Sequence, residues 1–170
     1  CPAEYDLRYV HRLDRAGEDG EARRVGTAWH EAFRAMHSEE EHGQGKLNTL
    51  SAISRINECA PSMLWALKLT RLFVAHRWWW RKEDEELEVI RTEHQFDVEF
   101  EGYKFTGQID GIVRAPDGRI GVIERKTAGE DIGVGAAYWD RMRMNVQVGL
   151  YALAVEPRPS FIMYDVVRKP

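Results

Sequence analysis

The sequence lacks the features of three specialised classes of protein. It has only two cysteines in 170 residues, Cys1 and Cys59, so we expect no disulfide framework and a reducing compartment. No apolar run reaches the roughly 18 residues of a membrane-spanning helix, because the longest candidate, residues 63–74, contains Lys68 and Arg71. No secretory signal peptide opens the chain. We therefore expect a cytoplasmic protein with no membrane partner.

An excess of positive charge is also absent. The 24 lysines and arginines are outnumbered by 28 aspartates and glutamates, which gives a net charge of -4. A uniformly basic surface is thereby excluded, and any contact with nucleic acid must come from local patches. The composition is otherwise that of a globular protein, with 44% hydrophobic and 31% charged residues, which excludes a disordered or fibrous chain.

The length predicts one domain, residues 1–170, and the apolar period divides it into two parts. Residues 1–85 have mainly helical spacing, and residues 86–170 form the core of a sheet. We expect an α/β fold with one crossover connection, preceded by a helical region. The predicted helices span residues 4–13, 25–36, 48–58, 63–80 and 139–154, and the predicted strands span 87–93, 96–100, 103–115, 119–127 and 160–167. The predicted loops are 14–21 and 39–45.

In the long helix 63–80, four aliphatic residues are expected to face the core: Leu64, Leu67, Leu72 and Val74.

A strong turn signal, Pro116-Asp117-Gly118, predicts the register of the last hairpin. A turn centred on Asp117 places Asp110 opposite Glu124. Residues two apart on a strand share a face, so Lys126 points the same way as Glu124. The pattern therefore brings two carboxylates and an ammonium group to one side of a hairpin.

These three charged groups are typical of a hydrolytic metal site. Adjacent carboxylates repel unless a cation lies between them, and a hard divalent cation such as Mg²⁺ suits oxygen ligands. A lysine beside such an ion can orient water or stabilise charge on a phosphate. The alternative is a solvated face of an exposed hairpin. Burial of that hairpin is favoured by the surrounding aliphatic residues: Ile109, Ile112, Val113, Ile120, Val122 and Ile123.

Asp110 followed by Glu124-Arg125-Lys126 resembles the motif of the PD-(D/E)XK nucleases, in the variety found in RecB-like nucleases and their phage or prophage members. Three further segments resemble the same variety: Gly26-Thr27-Ala28-Trp29-His30-Glu31, Gln147 and Tyr151 in a Gln-x-x-x-Tyr pattern, and Cys1-Pro2 with Tyr5, Arg8 and Tyr9. The resemblance implies a restriction-endonuclease-like core, with a central mixed β-sheet flanked by helices.

The resemblance also implies roles for particular residues. Lys126 would be the catalytic lysine, and Gln147 and Tyr151 would position DNA or brace that lysine. Mg²⁺ or Mn²⁺ would be held by His30, Asp110, Glu124 and the backbone carbonyl of Arg125. Glu93 matches an acidic residue near a strand end, where it would hold a second metal or steer His30 or Lys126, unless it is simply exposed. His37 is expected to be solvated.

The implied function is a divalent-metal-dependent DNA nuclease, bacterial or phage-encoded, acting as an exonuclease in recombination, repair or phage DNA processing. Its partners would be DNA and recombination proteins. The alternatives are an inactive nuclease-fold module that binds DNA or a protein, and an unrelated α/β domain with a chance motif. Family members with an iron–sulfur cluster use one N-terminal and three C-terminal cysteines, so none is expected here.

Local patches supply the candidate DNA contacts. The aromatic candidates for base stacking are Trp78-Trp79-Trp80 and Tyr138-Trp139, and the glycine-rich loop 129–135 is a candidate flap. The candidate phosphate ligands are Arg23, Arg24, Arg34, Arg77, Arg81, Lys82, Arg141 and Arg143.

Overall fold

The computed structural model of the chain describes residues 18–37, 48–143 and 145–169. The expected helix 4–13, the loop 39–45 and Cys1 with its neighbours lie outside these residues. The helices are α1 (Glu18–Met36), α2 (Thr49–Cys59), α3 (Met63–Trp79), α4 (Arg81–Glu86), α5 (Ala137–Arg143) and α6 (Val146–Ala154). The strands are β1 (Glu88–Phe100), β2 (Tyr103–Arg114), β3 (Ile120–Ala128) and β4 (Phe161–Arg168).

The four strands form one mixed sheet in the order β1-β2-β3-β4. β1, β2 and β3 form an antiparallel meander, and β4 pairs with β3 in parallel. A parallel pair cannot be joined by a tight turn, so α5 and α6 make the crossover between β3 and β4. The predicted α/β architecture, a mixed sheet flanked by helices, is confirmed.

Two apolar clusters cover the sheet. The larger joins α1, α2 and α3 to Val167 of β4, and its fully buried aromatic residues are Trp29 and Phe73. The smaller joins Tyr151 and Val155 to aliphatic side chains of β2 and β3. Each cluster includes residues from both strands and helices. The first therefore fixes α1, α2 and α3 to the sheet, and the second fixes the crossover helix α6 to the same sheet.

The predicted hairpin register is confirmed. β2 and β3 pair through Gly111 with Ile123 and through Arg114 with Ile120, which is the register of a turn centred on Asp117. The two strands predicted for residues 87–93 and 96–100 are instead one continuous strand, β1. Its pairing with β2 runs from Glu88 to Phe100 with one irregularity, so the residues between the two predicted strands are still held by their partner.

The predicted inner face of α3 is wrong. Leu64, Leu67 and Val74 are exposed, and only Leu72 packs partly against the core. The buried residues are Ala66, Leu69, Phe73 and His76. Apolar residues occur on every side of this helix, so their spacing does not predict which side is buried. Phe73 and His76 are buried because their rings pack edge-on against the aromatic rings of Trp29 and Phe33 on α1.

Two predicted boundaries also change. The helix predicted for residues 139–154 is divided into α5 and α6, because the side chain of Asn145 accepts a hydrogen bond from the backbone of Gln147 and starts a new helix. Residues 18–21 of the predicted loop 14–21 instead belong to α1, which begins at Glu18, and the rest of that loop lies outside the described residues. Among the described helices, none is long and apolar enough to span a bilayer.

Candidate active site

Asp110 lies at the point where pairing between β2 and β3 ends. The last pair is Gly111 with Ile123, and beyond it the Asp110 carboxylate accepts a hydrogen bond at Oδ2 from the backbone N–H of Arg125, at 2.6 Å. The other oxygen, Oδ1, lies 3.1 Å from Nδ1 of His30. Asp110 is only 8% exposed, so its charge is fixed between a strand and a helix.

His30 reaches this carboxylate because α1 crosses the sheet. The inner face of α1 is fully buried at Val25, Ala28 and Trp29, which fixes the rotation of the helix. Burial disfavours the imidazolium form of His30, but the hydrogen bond to Asp110 and the charges of Asp110 and Glu93 outweigh it. The pKa of His30 is therefore raised above its usual value.

Glu93 completes a group of three possible metal ligands. It lies between the pairs Thr92–Gly111 and His94–Ile109, and is therefore opposite Asp110. Its backbone has φ of +50°, a left-handed conformation that is unusual in the middle of a strand. One ligand atom from each of His30, Glu93 and Asp110 lies within 4.8 Å of the others. Glu93 is thus not the strand-end residue that the sequence predicted.

The electrostatics of this group suit a bound cation. Burial and the neighbouring Asp110 charge raise the pKa of Glu93, although His30 and Arg125 oppose them. A half-buried and a buried carboxylate beside an imidazole are unfavourable without a cation between them. Imidazole and carboxylate are ligands of both Mg²⁺-like and softer ions such as Mn²⁺, so the three donors fit a divalent metal.

Glu124 is 1% exposed and lies outside this group of three. One of its oxygens accepts a hydrogen bond from the hydroxyl of Tyr151 at 2.7 Å, and the other contacts Nζ of Lys126. A carboxylate has about four lone-pair positions, so these two contacts leave acceptor capacity for a metal.

Lys126, Gln147 and Tyr151 form one hydrogen-bonded chain with Glu124. Nζ of Lys126 donates to Oε1 of Gln147 at 3.2 Å, and Nε2 of Gln147 donates to the Tyr151 hydroxyl at 2.6 Å. Burial and the hydrogen bond to Glu124 raise the pKa of Tyr151, so it remains a neutral donor. Gln147 and Tyr151, which are four residues apart on α6, therefore hold Lys126 and Glu124 respectively.

We expect metal binding to depend on pH through His30. A metal binds the neutral imidazole, so it competes with the proton that Asp110 stabilises. Below the raised pKa of His30, each unit of lower pH should weaken Mn²⁺ affinity up to about tenfold, and above it the affinity should level off. Mn²⁺ titrations followed by electron paramagnetic resonance from about pH 5.5 to 8.5 would measure this.

The control for this prediction is His30→Gln, which keeps a polar side chain but cannot titrate. Its affinity should be lower and its pH dependence shallower, with only the carboxylates contributing. Equal slopes in the two proteins would show that His30 does not bind the metal.

The exposure of the other predicted aromatic and histidine residues agrees with the prediction in some cases and not in others. Tyr138, the buried residue of α5, is only 6% exposed, so its ring is not open to stack on a base as predicted. His37 is half-buried rather than solvated; burial and the charges of Arg125 and Arg77 lower its pKa to about 3. Trp78 and Trp79 are exposed, as a stacking role requires.

The predicted phosphate ligands divide into two sets. Arg34, Arg141 and Arg143 form ion pairs with Glu31, Glu130 and Asp140, and Arg77 is half-buried. The exposed members that remain are Arg23 and Arg24 on α1 and Arg81 and Lys82 on α4, with Arg81 also over the ring of Trp78.

Sequence reasoning missed Asp165 and His76. Asp165 is 9% exposed and its Oδ1 lies 2.7 Å from Nε2 of His76. A signal was present, because Asp165 is the only charged residue among the apolar residues 161–167. A lone carboxylate in a buried strand needs a partner, which is the reasoning that identified Asp110.

Comparisons with known proteins identify the family of the chain through one family model. No curated protein matches the chain. A solved structure titled "Crystal structure of SSO0001" is 20% identical, covers 97% of this chain and 72% of that one, and has a TM-score of 0.33, too low to add to the assignment. The family model for the PD-(D/E)XK nuclease superfamily matches residues 1–162. This match spans nearly the whole sequence, and the chain therefore belongs to the PD-(D/E)XK nuclease superfamily.

Proposed function

We propose that the chain is a divalent-metal-dependent deoxyribonuclease, and more narrowly an exonuclease of the RecB-like kind. The observation that carries the proposal is the position of Lys126 on β3, whose amine is held by Glu124 and Gln147, while three possible metal ligands lie together on α1, β1 and β2. Superfamily members are typically nucleases that use divalent metals, and a group of possible metal ligands together with a lysine supports the same activity here.

In the proposed site, Asp110, His30 and Glu93 hold the metal, together with Glu124 and the backbone carbonyl of Arg125. Carboxylates and a carbonyl suit Mg²⁺, and the imidazole of His30 also admits Mn²⁺. The bound metal supplies Lewis-acid polarisation of the phosphate and a lower pKa for a coordinated water.

Lys126 is the proposed catalytic residue. Its ammonium group is a compact donor of three hydrogen bonds, of which Glu124 and Gln147 accept two. The third can be directed at the attacking water or at a phosphate oxygen that gains negative charge in the transition state. Holding the amine by two acceptors removes the rotamer freedom that a lysine otherwise has.

Gln147 and Tyr151 are proposed as bracing residues. The Tyr151 ring is fully buried and packs edge-on against Phe96 of β1, so its hydroxyl is a fixed donor for Glu124. Gln147 is the exposed member of this hydrogen-bonded network, so its side chain is also accessible to substrate. These contacts support the interpretation of the Gln-x-x-x-Tyr pattern as part of the site.

The finer assignment rests on the combination of sequence motifs. The Gly26 to Glu31 segment and the Gln147 to Tyr151 pattern resemble RecB-like nucleases, which supports exonucleolytic action on DNA in recombination, repair or phage DNA processing. Exposed basic residues on α1 and α4, with Trp78 and Trp79, are the proposed DNA contacts. Recombination proteins are the proposed partners, and the bacterial or phage-infected cytoplasm is the proposed setting.

A cleavage assay tests the proposal. The chain is incubated with end-labelled linear DNA or internally labelled circular DNA, each single- and double-stranded, in Mg²⁺ or Mn²⁺ and with a chelator as control. Metal-dependent release of mononucleotides or short products from linear DNA alone is the expected result. Cleavage of circular DNA would contradict exonuclease action, and binding without cleavage in either metal would favour the inactive module.

A further inference from the structure

A second group of buried polar side chains lies on the face of β3 opposite Lys126. Arg125 points to this face because neighbouring residues on a strand alternate. Its Nε lies 3.5 Å from Oδ2 of Asp165, the residue beside it in the parallel pair of β3 and β4. The other carboxylate oxygen of Asp165 lies 2.7 Å from Nε2 of His76 on α3. All three side chains are buried.

Arg125 also contacts the segment that carries Asp110, and it does so at two points. Its backbone N–H donates to Oδ2 of Asp110 at 2.6 Å. Its guanidinium lies under the next residue, Gly111, where an added Cβ would be 3.5 Å from Nη1. The position of Arg125 therefore determines where one oxygen of the Asp110 carboxylate lies.

The position of Arg125 depends in turn on Asp165. A buried guanidinium requires a counter-charge, and at Nε and Nη1 it has no hydrogen-bond partner among the described residues. Asp165 supplies the neighbouring charge, and the ring of Phe33 lies 4.1 Å from the guanidinium carbon. The cavity beside this group is about 30 Å³, which suits water rather than a larger ligand.

We propose that Asp165 and His76 are positioning residues for the metal site: they hold Arg125, and Arg125 holds the Asp110 carboxylate toward His30. The inference rests on the proposed metal site and extends it to β4 and α3, neither of which contributes a metal ligand. Residues that hold metal ligands in place without contacting the metal orient those ligands and affect metal affinity.

Asp165→Asn tests the proposal, because it removes the counter-charge and keeps the size of the side chain. Mn²⁺ binding to the full chain is measured by electron paramagnetic resonance, without DNA, next to the melting temperature of each protein. We expect the Mn²⁺ dissociation constant to rise about tenfold, within the usual range for loss of a residue that orients a metal ligand.

The matched control is Val167→Ala, which lies on the same face of β4 and is 8% exposed in the apolar cluster. It should lower the melting temperature and leave Mn²⁺ affinity unchanged. If Asp165→Asn does not fold, the double variant Arg125→Met with Asp165→Leu removes both charges, which proteins often tolerate, and should still weaken binding about tenfold.

Each outcome has a distinct meaning. Wild-type affinity in the folded Asp165 variant would overturn the positioning role, as would an equal loss of affinity in Val167→Ala. Absence of Mn²⁺ binding by the wild-type chain would overturn the metal site itself and, with it, this inference.

Discussion

Replacing Lys126 by methionine is expected to lower the rate of DNA cleavage by about 10²–10³-fold, the usual cost of losing one group that stabilises transition-state charge. Methionine keeps much of the length of the side chain but removes the amine that Glu124 and Gln147 position. None of the proposed metal ligands is itself replaced, so Mn²⁺ should still bind. Single-turnover cleavage of end-labelled DNA at saturating metal measures the first quantity, and a Mn²⁺ titration measures the second.

Lys104→Met is the matched control, because Lys104 is an exposed lysine of the same sheet whose ion pair is with Asp97. Its cleavage rate should equal that of the wild type. A Lys126→Met protein that retains wild-type cleavage would show that another group performs the catalytic step.

Asp110→Asn is expected to abolish metal binding. The loss of affinity should be more than about 100-fold, which exceeds the usual cost of losing a residue that only orients a metal ligand. The amide oxygen would accept the hydrogen bond from the Arg125 backbone, as Oδ2 of Asp110 does now. The amide NH₂ would then replace Oδ1, so the group of three would receive a donor where the metal needs an acceptor. Cleavage should be lost in Mg²⁺ and in Mn²⁺.

Thermal melting with and without Mn²⁺ separates this effect from misfolding. A ligand that binds the folded state raises the melting temperature, so the wild type and the control Asp97→Asn should show the rise and Asp110→Asn should not. Asp97 is an exposed carboxylate on the same hairpin. An undiminished rise in the Asp110 variant would exclude Asp110 as a ligand.

Local chemistry made the hairpin predictable. The Pro116-Asp117-Gly118 turn sets the register, and a register together with the two-residue period of a strand places Glu124 and Lys126 on one face. These relations depend on residues close in sequence, so no tertiary contact is needed to decide them. The same is true of Gln147 and Tyr151, which share a face because they are four apart on α6.

The packing of α3 was not predictable in this way. Its apolar residues surround the helix, and Leu69 is buried while Leu67 is exposed. The choice depends on the rings of α1, more than 30 positions earlier in the sequence, against which Phe73 and His76 pack. The break between α5 and α6 similarly depends on one cap at Asn145, which interrupts an apolar period that continues on both sides.

The sequence alone determined the fold class, the register of the β2–β3 hairpin and which charged residues are candidates for the site. Each of these follows from short-range periodicity or from a motif. Only the tertiary structure decided which of them meet. His30 reaches Asp110 because the buried face of α1 fixes the orientation of that helix, and Glu93, a residue of β1 with a positive φ, lies opposite Asp110 and joins them. Arg125 is buried against Asp165 because two strands distant in sequence pair in parallel, a contact whose energy appears only after the chain has folded.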